Sequence, residues 1–414
     1  MRAAGDSIHS NLLPPAIFLD ASPSSEHIAI FWEDRRNRLL SWTRSGPHLR
    51  IAAWMPGKEL RMKIGLMVPL LISASFALAQ QPAPTTAAHA PNRDTSYIDA
   101  QGTAHVTRVV PVPKTVSPEA QKFLSTQVPD EGPPQTIAER RAGLDRSEAR
   151  HRIEWSRICP NHIEDSTMAG VPVRLVTPDD LDPANGDKVL LNLHGGGFNA
   201  DSGSYSETIP IAGFAKMKVV AVLYRLAPEH PFPAAVDDAI AVYKELLKTY
   251  KPNHIVLYGT SAGAMLTGEV AVRLKQLGLP LPAALGIFSG TGDFARAGDT
   301  EALFSVRGLA GHLDPPAKVH DAYYVGNTDP RNPVLSPVYA DLHGLPPTLF
   351  VSSTRDMLLS GTSNLDRAFL RAGDQTQLVV FDGFPHAFWY NPNLPEAIEA
   401  NHIMANFFVK ALNR

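Results

Sequence analysis

Residues 255–263 read Ile255-Val256-Leu257-Tyr258-Gly259-Thr260-Ser261-Ala262-Gly263, an apolar run closed by G-x-S-x-G, and a long amphipathic stretch follows. A strand that turns sharply into a helix is the setting in which this motif holds a serine at a strained elbow above a sheet. A side chain at Gly259 or Gly263 would collide with the neighbouring strand or helix, so both positions call for glycine. The motif alone is weak, because about one chain in ten of this length contains it by chance. Its flanks lift it above that level and make Ser261 the candidate nucleophile.

Upstream, the strand-like Lys188-Val189-Leu190-Leu191-Asn192-Leu193 runs into His194-Gly195-Gly196-Gly197-Phe198. Fewer than about one chain in a hundred should contain HGGG by chance. Consecutive glycines let backbone N–H groups point into a cavity unobstructed, as a tetrahedral oxyanion requires. A flexible turn or a phosphate loop are the competing readings. A Walker loop needs a following Gly-Lys-Ser/Thr, and Asn199-Ala200-Asp201 supplies none; G-x-G-x-x-G fails too.

HGGGF, Tyr224-Arg225-Leu226-Ala227-Pro228-Glu229-His230-Pro231-Phe232-Pro233-Ala234-Ala235 and GTSAG together resemble the bacterial hormone-sensitive-lipase-like esterases, from about Val171 to the C-terminus. The middle segment is more specific than either glycine motif. The commoner family form carries Asp before the serine; Thr260 here matches the subfamily named for GTSAG. The resemblance implies an α/β-hydrolase fold: a mostly parallel sheet of about eight strands, helices on both faces and a mainly helical cap. It also implies backbone donors at Gly196, Gly197 and Ala262 for the oxyanion.

A serine nucleophile needs a base, and the base needs a carboxylate to orient it. In this fold the chain order is Ser, acid, His. Asp356, after Thr348-Leu349-Phe350-Val351-Ser352, fits the acid; Asp293, after the preceding strand, is its rival, and the resemblance favours Asp356. His386 follows the last strand within Gly383-Phe384-Pro385-His386-Ala387-Phe388, whereas His402 lies inside the C-terminal helix. His194 is expected to brace the oxyanion loop, with Gly195, Gly259 and Gly263 giving close approach. Glu229 and Asp238 brace the same region or are simply solvated charges. Phe198, Phe388 and Trp389 flank the chemistry and suggest an apolar pocket, though aromatics as often fill a core. Cys159, the single cysteine, precedes the sheet and reads as a structural thiol.

Of 414 residues, 44% are hydrophobic, and the formal net charge is −3, an ordinary globular composition. No basic stripe appears, so nucleic acid is excluded as a partner. No H-E-x-x-H or C-x-x-C spacing occurs, and the chemistry requires neither metal nor organic cofactor. The small-molecule ester is the expected partner; a homodimer is compatible.

Met62-Lys63 opens an apolar segment that ends Ala77-Leu78-Ala79 before Gln80, the pattern of a secretory signal peptide. Residues 62–79 are therefore expected to direct export, without stable membrane insertion after cleavage. Residues 1–61 then read as a non-native or disordered upstream extension. Residues 80–114, rich in Ala, Pro and Thr, read as a linker. Residues 115–165 carry helical spacing with Ser117 as an N-cap and form cap helices. Residues 166–414 form the catalytic domain, whose rhythm breaks at about 294–337 to complete the cap.

Strands are expected at Val171–Val176, Lys188–Leu193, Val219–Tyr224, His254–Tyr258, Ala283–Ser289, Thr348–Ser352 and Gln377–Phe381. Helices are expected at Asp237–Tyr250, Ala262–Leu277, Thr362–Ala372 and Pro395–Leu412. This alternation with near-continuous apolar strands predicts a parallel sheet covered on both faces. The function expected is hydrolysis of short-to-medium acyl esters. A lactone or carbamate hydrolase with the same triad and a non-catalytic small-molecule-binding protein on the same fold are the alternatives.

Overall fold

The computed structural model describes residues 19–20, 29–33, 39–45, 48–55, 58–62, 95–126, 135–309 and 322–414. The chain divides into two units, Met1–Val109 and Val110–Arg414.

In the first unit, Leu19–Asp20, Ala29–Glu33, Leu39–Ser45, His48–Met55 and Lys58–Met62 form an antiparallel sheet in sequential order. These strands stand where the sequence suggested disorder; Trp32, Trp42 and Trp54 all fall within them, as β-favouring residues do. The expected signal peptide beyond Met62 lies outside the described residues. Thr95–Ile98 pairs with Ala104–Thr107 inside the expected linker. Asp99 closes that turn by accepting from the Gln101 and Thr103 N–H groups at 2.9 and 2.8 Å, and Gly102 supplies a φ of 83°. Local turn chemistry outweighs the linker-like composition around it.

The second unit is one eight-stranded sheet: β1 (Asn161–Met168), β2 (Val171–Pro178), β3 (Val189–Leu193), β4 (Lys218–Val222), β5 (Ile255–Thr260), β6 (Ala284–Phe288), β7 (Thr348–Ser353) and β8 (Thr376–Phe381). The spatial order is β8-β7-β6-β5-β3-β4-β2-β1. All pairs are parallel except β4–β2 and β2–β1. Helices α1 (Pro118–Leu124), α2 (Ile137–Ile158), α3 (Thr208–Ala215), α4 (Ala234–Leu246), α5 (Ala262–Gln276), α6 (Asp299–Leu303), α7 (Ala322–Val325), α8 (Leu359–Ala372) and α9 (Pro395–Leu412) complete it.

Alternation along the central strands sends side chains into two cores. Leu191, Leu257, Ile287 and Phe350 join α4, α5 and α8 on one face. Leu190, Val256, Ala284 and Val351 join α2, α3 and α9 on the other. Strands buried on both faces need apolar residues at every position, hence the continuous runs in the sequence.

Two elements depart from the sequence reading. No strand is expected at β1, which straddles the expected boundary between the cap helices (115–165) and the catalytic domain (166–414); it is a polar edge strand joined to β2 by a turn at Ala169 (φ 51°) and Gly170 (φ 83°). α3 contains Pro210 and Gly213, and its propensity is poor. Burial of Ile209, Ile211, Ala212 and Ala215 against α9 and β2 outweighs that. Gly213 is needed there because a Cβ would lie 2.6 Å from Cys159 Cβ. Of the cap insertion 294–337, α6 and α7 are seen, and 310–321 lies outside the described residues.

Candidate active site

β5 ends at Thr260 and α5 begins at Ala262, so Ser261 alone makes the turn, at φ 59° and ψ −122°. That conformation is costly for a residue with a side chain and persists only when its surroundings hold it. They do: the Ser261 N–H donates to Phe288 O on β6 at 2.9 Å. A Cβ on either Gly259 or Gly263 would run into the Leu193 carbonyl oxygen, so the turn sits directly against β3.

Asp356 follows β7 and is fully buried. Its Oδ1 meets His386 Nδ1 at 2.9 Å and accepts the Leu358 N–H at 2.9 Å; its Oδ2 accepts from Ser352 Oγ at 3.0 Å and from Ser289 Oγ. Burial pushes this carboxyl up, but the charge and hydrogen bond of His386 and the Ser289 hydroxyl hold it below the ordinary aspartate value. With Nδ1 on the carboxylate, Nε2 is the nitrogen left for proton transfer. The rivals are otherwise engaged. Asp293 pairs with Arg296 at 2.7 Å, and His402 stacks on Phe214 at 3.8 Å.

Two routes tie Ser261 to His386, although among the described residues no hydrogen bond links them directly. Through β6, the Ser261 amide holds Phe288, whose neighbour Ser289 holds Asp356. Through the last loop, Trp389 Nε1 donates to Thr260 Oγ1 at 3.2 Å. Apo catalytic contacts are often long and tighten when substrate binds.

In the loop after β3, Gly196 and Gly197 adopt φ of 115° and 65°. Both values favour glycine, and a Cβ on Gly196 would strike the Ala200 carbonyl oxygen. His194 is buried, stacks on Tyr224 at 4.2 Å and faces Gly195 O through Nδ1 at 2.8 Å; the Tyr224 hydroxyl donates to His194 O. From α2, Arg141 donates to Asn199 O at 2.7 Å and pairs with Glu229 at 2.6 Å. Asp238 accepts the Arg225 N–H and grips its guanidinium, fixing the segment after β4. Ala262 opens α5, where the first N–H groups have no intrahelical acceptor.

Phe198, Phe388 and Trp389 require correction as pocket residues: they are 2%, 3% and 1% exposed. Phe198 stacks on Tyr324 at 3.5 Å, and Phe388 stacks on Phe384 at 4.4 Å. They are packing that holds the loops. Cys159 is buried, which pushes its thiol up to about 11, the opposite of a reactive thiolate.

Sequence reasoning missed Glu207, the residue before α3. It is buried, and its carboxylate receives groups from β3, the glycine loop, the end of β5 and the loop after His386. Nothing in Ser204-Tyr205-Ser206-Glu207 sets it apart from a solvated helix-start acid; only its burial does. A polar cavity of about 330 Å³ lies elsewhere, lined by Thr291, Asp293, Arg296, Glu301 and Arg371 and by none of Ser261, Asp356 or His386. Among the described residues no cluster of three His, Cys, Asp or Glu could hold a metal.

The strand order, the glycine loop after β3 and the serine turn after β5 define an α/β hydrolase. A family model described as alpha/beta hydrolase fold matches residues 190–390. An acetyl-hydrolase of Streptomyces hygroscopicus is 36% identical over 245 residues, 57% of this chain and 81% of that protein. An esterase of Acinetobacter venetianus is 28% identical over 265 residues, covering 61% and 85%. A crystal structure of an esterase from the bacterial hormone-sensitive lipase family superposes with a TM-score of 0.62 at 30% identity, covering 72% of this chain and 99% of that one. The chain belongs to the α/β-hydrolase family, among its hormone-sensitive-lipase-like members, and is a carboxylic-ester hydrolase.

Proposed function

We propose that this protein hydrolyses short-to-medium acyl esters through a Ser261–His386–Asp356 triad. Ser261 Oγ attacks the acyl carbonyl while His386 Nε2 takes its proton, and Asp356 fixes the tautomer and stabilises the imidazolium. The alkoxide oxygen of the tetrahedral intermediate lies on the N–H groups of Gly196, Gly197 and Ala262. His386 returns the proton to the leaving alcohol. Water, deprotonated by the same nitrogen, then releases the acid and restores Ser261. One oxyanion donor is worth about 3–4 kcal/mol, so the glycine loop matters nearly as much as the base.

The observation that carries this reading is the contact of His386 Nδ1 with buried Asp356 at 2.9 Å, on loops tied to the strained Ser261 turn. The name of the acetyl-hydrolase relative favours a short acyl group. A fluorophosphonate probe should label Ser261, and a series of p-nitrophenyl esters should show turnover falling as the acyl chain lengthens. Labelling elsewhere, or none, would remove Ser261 from its role. Export belongs to the same proposal: the first residue of protein recovered outside the cytoplasm should be Gln80.

A further inference from the structure

Glu207 receives four donors from four separate segments. Oε1 takes the Gly195 N–H at 2.9 Å and the Tyr390 hydroxyl at 2.5 Å; Oε2 takes Asn192 Nδ2 at 2.8 Å and the Thr260 N–H at 3.2 Å. The Tyr390 hydroxyl also lies 3.0 Å from Ser202 O, a second acceptor for its proton. Three of these donors sit beside proposed working atoms. Gly195 precedes the oxyanion glycines, Thr260 precedes Ser261, and Tyr390 lies four residues past His386.

Burial pushes Glu207 up to about 8, with a small addition from Glu148. Three of the four partners are N–H groups that only donate, while the Tyr390 hydroxyl can donate to the carboxylate or, with its own proton on Ser202 O, accept from the carboxyl, so the cluster is satisfied in either protonation state. An apolar side chain in its place would orphan two buried backbone amides, and structures rarely tolerate that.

We propose that Glu207 is a positioning residue for ester hydrolysis, keying the oxyanion loop, the nucleophile turn and the His386 loop into one register. This rests on the triad reading above. Glu207 touches no reacting atom. It fixes the peptide planes next to those that do, and displacement by about 1 Å at such a site costs on the order of a hundredfold.

The full chain is assayed with p-nitrophenyl butyrate, turnover being expressed per site titrated by fluorophosphonate, and an alkyl trifluoromethyl ketone serves as oxyanion mimic. In Glu207→Gln one oxygen becomes an amide facing two donors. Its kcat should fall about 30- to 300-fold with KM within about threefold, and ketone affinity should weaken in step. Tyr390→Phe, which loses a single donor, should lower kcat about 3- to 10-fold. The double variant should lose less than the product of the two. Unchanged kcat per titrated site in Glu207→Gln, a rise in KM alone, or full ketone affinity at reduced kcat would each overturn the proposal. If Glu207→Gln does not fold, wild-type kcat and ketone affinity in Tyr390→Phe overturn it. Failure of the unmodified protein to label at Ser261 is a different result: it sinks the triad reading, and this proposal with it.

Discussion

Trp389 Nε1 donates to Thr260 Oγ1 at 3.2 Å, joining the residue three past His386 to the residue before Ser261. Both groups are buried, so the bond excludes water as well as fixing a distance. In the commoner family form an aspartate precedes the serine; here a neutral hydroxyl meets an indole N–H, and no charge is added beside the nucleophile. Thr260→Val keeps the volume but strands the indole donor, at a cost of about 1–3 kcal/mol. About 2–4 °C of melting temperature per kcal/mol is expected for a domain of this size. Differential scanning fluorimetry checks the loss, and kcat should fall with it. A variant as stable and active as the parent would show the bond to be incidental.

Asp356→Asn should leave most of the fold intact: the Ser289 and Ser352 hydroxyls keep a partner at that side chain, and only the Leu358 N–H loses its acceptor when the amide takes the Oδ1 position. The asparagine cannot hold the imidazolium and can present its amide to Nδ1, favouring the wrong tautomer. A loss of kcat on the order of 10⁴-fold follows. Steady-state kinetics on p-nitrophenyl butyrate measures it. A loss under tenfold would return Asp293 to consideration as the acid.

The glycine motifs carried most of what the sequence could tell. Gly259 and Gly263 are legible because a backbone clash at Leu193 O leaves no other residue type, and chemistry of that kind is written locally. Asp356 and His386 are expected from chain order within a resembled fold rather than from any local motif, and the structure engages Asp293 with Arg296 and stacks His402 on Phe214. β1 was illegible because an edge strand with one solvated face has too few apolar positions to show its period. α3 was illegible because tertiary burial overrides the poor propensity of Pro210 and Gly213. Glu207 could not be told from a surface acid, since burial of a charge is decided by segments far apart in the chain. Phe198, Phe388 and Trp389 failed for the related reason that an aromatic beside a motif is as ready to pack the loop as to touch a ligand.

Gly263→Ala should abolish the fold or the activity outright. Its Cβ would meet the backbone at Leu193 O, which cannot move without dislodging β3. Gly102→Ala offers the contrast: its φ of 83° imposes strain, yet nothing lies within 4 Å of the added carbon. That change should cost only about 1–2 kcal/mol locally and leave turnover unaffected. Soluble yield and ester turnover of the two variants separate steric from conformational demand; equal behaviour would refute the distinction.

Arg141 binds Glu229 through two oxygens and thereby holds α2 to the segment after β4. The Arg141 hydrogen bonds bring Glu229 down to about 2 from its usual 4.5. The folded value is depressed, so the stabilisation is fully present above pH 4.5 and is lost as pH falls from 4.5 through about 2. Urea midpoints for the parent and Arg141→Gln should therefore differ at pH 7 and converge toward pH 3. Because the pair is solvent-exposed, 0.5 M salt should narrow the gap at pH 7. A gap constant with pH would mean that Arg141 acts through Asn199 and Ala227 alone.

Glu269 gives the opposite sign. It lies on α5, wholly buried, with Oε2 on the Tyr324 hydroxyl at 2.5 Å and Oε1 without a hydrogen-bond partner among the described residues. Burial pushes this carboxyl well above its ordinary value despite the Tyr324 bond. The folded state therefore holds a proton that the unfolded chain has released above pH 4.5, and stability declines as pH rises from there. Glu269→Gln keeps the shape and an acceptor for Tyr324 but cannot ionise, so it removes that slope. Relative to the parent, the variant should gain stability between pH 5 and pH 8, read as a growing difference in urea midpoint. A difference that shrinks over the same interval would mean that Glu269 is charged in the folded protein, with Tyr324 and a group at Oε1 sustaining the ion.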